Sequence, residues 1–125
     1  MVEYIKYDYY TGTYKGTVPY NKFDILLIRA SSYIKGRTFS RININNIPEE
    51  VKYTTCLIID KIYEYDNKIR QVGVKKSESV GKVSITYADR ETLKKELKEE
   101  LNEIINTYLI DVVNENGIPL LYRGG

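Results

Sequence analysis

A mainly helical fold, a small bundle of about three main helices with an extended β-strand or hairpin loop near residues 69–87, follows from three features of the sequence. Apolar residues recur at helical spacing in three separate stretches. Two of those stretches open at a proline, and one short segment alternates strictly between apolar and polar residues. At 125 residues the chain reads as one domain, large enough to bury a core without metals or disulfides.

Residues 1–17 are aromatic and punctuated by Gly12 and Gly16, and read as turns or a loose N-terminal arm. Pro19 marks the first helix, because its missing N–H costs nothing in a first turn. Tyr20, Phe23, Leu26, Leu27, Ala30 and Ile34 form its stripe. Ile25 and Ile28 widen it, which predicts burial around much of the helix, and Gly36 is the expected stop. Residues 38–46 are an Asn-rich connector.

Pro48, Glu49 and Glu50 open the second helix, with two acids at the positive end of the helix dipole. Its predicted inner face is Val51, Thr55, Ile58, Ile59 and Ile62. Tyr63 and Tyr65 are its expected end, with Asn67 as a cap. Residues 68–79 look polar and irregular. From Val80 onward Val83, Ile85 and Tyr87 alternate with Lys82, Ser84 and Thr86, which is strand periodicity. A lone strand needs a partner, either residues 69–76 or a neighbouring molecule.

The third helix is predicted from about residue 88 to 112, capped by Asp89 or Thr92. Leu93, Leu97, Leu101, Ile104, Ile105, Tyr108 and Leu109 form its apolar stripe. The mixed charges of Lys94, Lys95, Glu96, Lys98, Glu99, Glu100 and Glu103 read as a solvated face. Asn116-Gly117 signals a turn. The tail, residues 118–125, is apolar and aromatic, which predicts docking either on its own domain or on a partner.

Chemistry is scarce. There is no histidine, hence no usual general base or zinc ligand, and one cysteine forbids an internal disulfide or a CxxC site. Cys56 sits in an apolar helical stretch and reads as a buried, inert thiol. Phosphate-loop and dinucleotide glycine patterns are absent. The acids lie at helix ends or on a wet face rather than converging, so the chain does not read as an enzyme, and no cofactor or metal is expected. No stretch nears the roughly 18 apolar residues of a membrane span, and the opening residues do not form a signal peptide.

A net charge of +2 is too small by itself to indicate nucleic-acid binding. The best basic patch is Lys35, Arg37 and Arg41 around Phe39. It could face DNA, or it could simply end the first helix and lie over the core. Thirteen tyrosines against two phenylalanines suit surfaces buried on assembly, although codon bias in an AT-rich genome is an equal explanation.

Three segments together, FDILLIRASSYIKGRTFSRI, IPEEVKYTTCLIIDKI and the pair SESVGKVSITY with GIPLLYRGG, resemble the small head–tail connector (adaptor) proteins of tailed phages of Gram-positive bacteria and their prophages. The resemblance runs from about Phe23 onward. It implies a structural virion protein with a helical-bundle fold, made in the host cytoplasm and placed in the neck. About twelve copies would form a ring below the portal by head-to-tail contacts, with DNA passing through unread.

By the same resemblance Leu120, Leu121, Tyr122 and Arg123 are expected to dock on the portal. Val80, Val83, Ile85 and Tyr87 are expected to contact neighbouring subunits or the next neck or tail protein. Two other readings stand beside it. One is a different neck or tail-completion protein, which would be richer in β structure. The other is a small helical DNA-binding regulator, although the 36–48 join is longer than a helix-turn-helix turn.

Overall fold

Three helices form where the apolar stripes run: α1, Tyr20–Arg37; α2, Glu49–Ser77; and α3, Val83–Leu109. The computed structural model describes residues 2–77 and 83–122, with side chains placed for 2–72 and 89–122. Among these residues there is no β-strand, only one isolated antiparallel bridge, Val113 with Pro119.

Proline sets both early helix starts. Pro19 is extended (ψ 147°) and precedes the first turn of α1. The Pro48 carbonyl accepts from the Val51 and Lys52 amides, while Glu49 and Glu50 occupy the first turn of α2. At the other end of α1, Lys35 and Arg37 face the negative end of its dipole. Thr38 closes it by donating its hydroxyl to the Ile34 carbonyl at 2.8 Å. Phe39 and Ser40 then turn the chain through left-handed backbone (φ 55° and 58°).

α2 and α3 run antiparallel, as the pairs Tyr53–Tyr108 and Lys61–Glu100 show. α1 lies along both. Phe23, Leu26, Leu27, Ala30 and Ile34 meet Val51, Ile58, Ile59 and Ile62 of α2 and Leu101, Ile105 and Leu109 of α3 in one core. The buried hydroxyls of Thr54 and Thr55 are satisfied by carbonyls one turn back, at 2.6 and 2.7 Å.

The expected β segment is a correction. Residues 69–77 continue α2, and Val83, Ile85 and Tyr87 belong to the first turns of α3; Val80 lies outside the described residues. A helix satisfies its own backbone groups, whereas an isolated strand leaves every amide and carbonyl needing a partner. Helix continuity therefore outweighs the short alternating pattern. For the same reason α2 does not end at Tyr63 and Tyr65. Asp89 and Thr92 fall inside α3 rather than capping it.

Two further expectations change. Ile25 is 67% exposed, so α1 buries one side rather than most of its circumference. The opening segment is no loose arm. Tyr4, Ile5 and Tyr10 are buried in the core, and the segment makes one π-helical turn, Tyr9–Thr13. The Tyr4 amide donates to the Ser31 hydroxyl of α1 at 3.3 Å. Tyr10 and Tyr14 donate to the two carboxylate oxygens of Asp60 on α2, at 2.5 and 2.8 Å.

The rings continue this attachment. Tyr7 meets Tyr20 and Phe23 edge-on, Tyr10 stacks on Tyr14, Tyr14 meets Tyr53, and Tyr53 meets Tyr108. Much of the tyrosine content thus packs within the chain. Cys56 is buried as expected, and burial is the main cause that pushes its thiol up to about 12.

Candidate docking surface

The end of the bundle where α1 and α3 finish is built by the connector after α1 and the turn after α3. Asn114 organises that turn. Its side-chain oxygen accepts from the Asn116 and Ile118 amides at 2.9 and 3.0 Å. Gly117 supplies the positive φ (77°) that the turn needs. The chain doubles back through the Val113–Pro119 bridge, and the Leu120 amide donates to the Val112 carbonyl at 2.9 Å.

This return drops Leu120 into the bundle's own core, 1% exposed. Leu120 is therefore an internal anchor, its apolar surface covered by its own domain. Leu121 is half-buried against the core, and Tyr122 is 53% exposed. Arg123 lies outside the described residues.

Arg41 ties the connector to this turn. Its guanidinium donates to the carbonyls of Pro119 (3.0 Å), Leu120 (3.3 Å) and Tyr122. It also lies 5.0 Å from the Phe39 ring centre and 5.6 Å from that of Tyr122. Phe39, Arg41 and Tyr122 thus form an aromatic–cation–aromatic cluster on the surface. Beside it runs a groove of about 640 Å³ lined by Tyr33, Arg37, Phe39, Lys98, Asn102, Ile110 and Leu121 among others. Ile110 is 58% exposed. Arg37 donates to the side-chain oxygens of Asn102 and Asn106, and Tyr33 also donates to Asn102. Amide oxygens orient the guanidinium without cancelling its charge.

Of the three basic candidates, Arg37 and Arg41 donate hydrogen bonds to protein oxygens. Lys35 is exposed on the last turn of α1. The charged run of α3 is a solvated face at Lys94, Lys95, Glu96, Lys98, Glu99 and Glu103.

α3 carries a second groove on its α2 side, about 300 Å³, lined by Lys61, Glu100, Glu103, Ile104, Thr107 and Tyr108. Lys61 lies 3.3 Å from Glu64 and 3.9 Å from Glu100. Glu100 Oε2 is shielded from solvent and faces the Lys61 ammonium. A hydrogen bond to Glu100, and then burial, pushes the Tyr65 phenol up to about 12.

Among the described residues no group of three or more His, Cys, Asp or Glu side chains could hold a metal ion, and no helix is long and apolar enough to cross a membrane. Asp60 is clamped by Tyr10 and Tyr14, a structural use that sequence reasoning did not find. A carboxylate inside the apolar run Cys-Leu-Ile-Ile-Asp is the signal that could have marked it. No protein-family model, curated protein or solved structure matches the chain.

Proposed function

We propose that the chain is a structural subunit of a tailed-phage neck, a head–tail connector that joins copies of itself into a ring below the portal and lets DNA pass. The proposal starts from the order of the three sequence segments described above. The observation that carries it structurally is a group of large apolar side chains left exposed at the end of the bundle where α1 and α3 finish. Phe39, Ile110 and Tyr122 are all exposed, and Phe39 and Tyr122 are held in place by the Arg41 clamp. Exposed aromatic and apolar groups on a rigid frame are the composition of a protein interface.

In this reading Tyr122, supported by Leu121, is the portal-facing element, and Leu120 serves to aim it. The end of α2 and the first turns of α3, rather than a β loop, would reach neighbouring subunits and the next neck or tail protein. DNA is passed without sequence contacts, and Lys35 is the solvent-facing base of the three candidates. The site of action is the virion neck.

Cosedimentation with portal rings of the same phage or prophage tests the proposal. Saturable binding that depends on Tyr122 is expected. No binding at any salt concentration would exclude it.

A further inference from the structure

The two grooves on α3 have opposite chemistry. The buried ridge of this helix is Leu101, Ile105 and Leu109. Asn102, Asn106 and Ile110 each stand one residue after a ridge position, on the side facing α1. Glu100, Ile104 and Tyr108 each stand one residue before, on the side facing α2. At about 100° per residue, the two rows lie about 160° apart around the helix. One groove carries Arg37 and Lys98 beside exposed Phe39 and Ile110. The other carries Glu100 and Glu103 beside half-buried Ile104 and exposed Tyr108, and its one cation, Lys61, is already engaged by Glu64 and Glu100.

We infer that these grooves are the two halves of one interface between copies of this chain, the basic groove of one copy seating the acidic, tyrosine-bearing flank of the next. Two observations on the molecule support a second copy as the occupant. The charges are complementary, and each groove pairs its charges with apolar or aromatic side chains. Because the halves sit on nearly opposite faces of one helix, each added copy leaves a fresh half exposed. The contact is therefore heterologous and propagates head-to-tail. This deepens the ring reading by naming its contact surfaces.

The test uses the whole chain alone, so failure of portal attachment leaves it untouched and its own failure says nothing about the portal. Sedimentation velocity over a concentration series is run on the wild type, on Lys98→Glu, on Glu103→Lys, and on their equimolar mixture. Both residues are exposed, and matching thermal melts confirm that each variant folds. Wild type is expected to self-associate, less strongly as salt rises. Each variant alone juxtaposes like charges and is expected to associate at least about tenfold more weakly. The mixture restores opposite charges at every contact and is expected to regain association. A monomeric wild type at all concentrations overturns the inference. So does association that both variants leave intact, or a mixture that fails to recover.

Discussion

The Tyr10 hydroxyl donates to Asp60 Oδ1 at 2.5 Å while accepting the Val18 amide at 3.0 Å. A single phenol therefore joins the opening segment to the middle of α2 and also satisfies a buried backbone donor. Tyr14 takes the second oxygen of the same carboxylate at 2.8 Å. Asp60→Ala removes both acceptors. Hydrogen bonds to a charged group contribute roughly 1.5–3 kcal/mol each, so a loss of about 3 kcal/mol is expected in chemical denaturation. Asp60→Asn keeps one acceptor oxygen and should lose less. Equal stability of wild type and Asp60→Ala would show that the opening segment is not held this way.

Gly16 is required by the Tyr10 ring. A Cβ at this position would fall 2.0–2.5 Å from three ring atoms of Tyr10. That ring is fully buried and has no room to retreat. Gly16→Ala should cost about 2–3 kcal/mol through overpacking. Gly12→Ala, where a Cβ meets nothing within 4 Å, should stay within about 0.5 kcal/mol. The contrast in melting temperature between the two checks the packing.

Stability should fall on the alkaline side. Burial, then the hydrogen bond to Asp60, raises the pKa of Tyr10 and Tyr14 above the ordinary phenol value of 10.0. Burial raises Cys56 from 9.0 to about 12. An acid whose pKa is raised by folding is favoured neutral in the native state, so deprotonation drives unfolding. The contribution is complete below pH 9. It declines through pH 10 and is lost as the pH passes the raised values. Denaturation monitored with tyrosinate absorbance should show the phenols ionising together with unfolding above pH 10. Ionisation of all tyrosines near pH 10 with the fold intact would refute the buried placement.

Leu120 and Tyr122 should separate stability from docking. Leu120→Ala empties a core position and should cost about 2–4 kcal/mol. Tyr122→Ala removes an exposed ring beside the Arg41 cation, and should change stability by less than about 0.5 kcal/mol. Portal binding should be lost in Tyr122→Ala although its melt is unchanged. Retained binding would place the portal contact elsewhere.

The helical stripes were legible because burial follows them. Val51, Thr55, Ile58, Ile59 and Ile62 are all buried, and the Pro19 and Pro48 starts and the Asn116-Gly117 turn stand where local chemistry puts them. Residues 83–87 were misread because β-branched residues at alternating positions describe a side-chain preference, whereas the backbone of a long helix is decided by its neighbours along the chain. The role of residues 2–18 was hidden because its partners, Ser31, Phe23 and Asp60, are distant in sequence and follow no period. The candidate surface was half legible. The basic–aromatic group at 35–41 was visible. That Arg41 clamps the carbonyls of the last turn and that Leu120 faces inward depend on tertiary folding alone.

Electron microscopy of portal rings mixed with an excess of this protein examines the proposed role most directly. An extra ring of density on one face of the portal is expected, absent when Tyr122→Ala replaces the wild type. Portals that remain bare beside a folded, fully monomeric wild-type chain would end the connector reading.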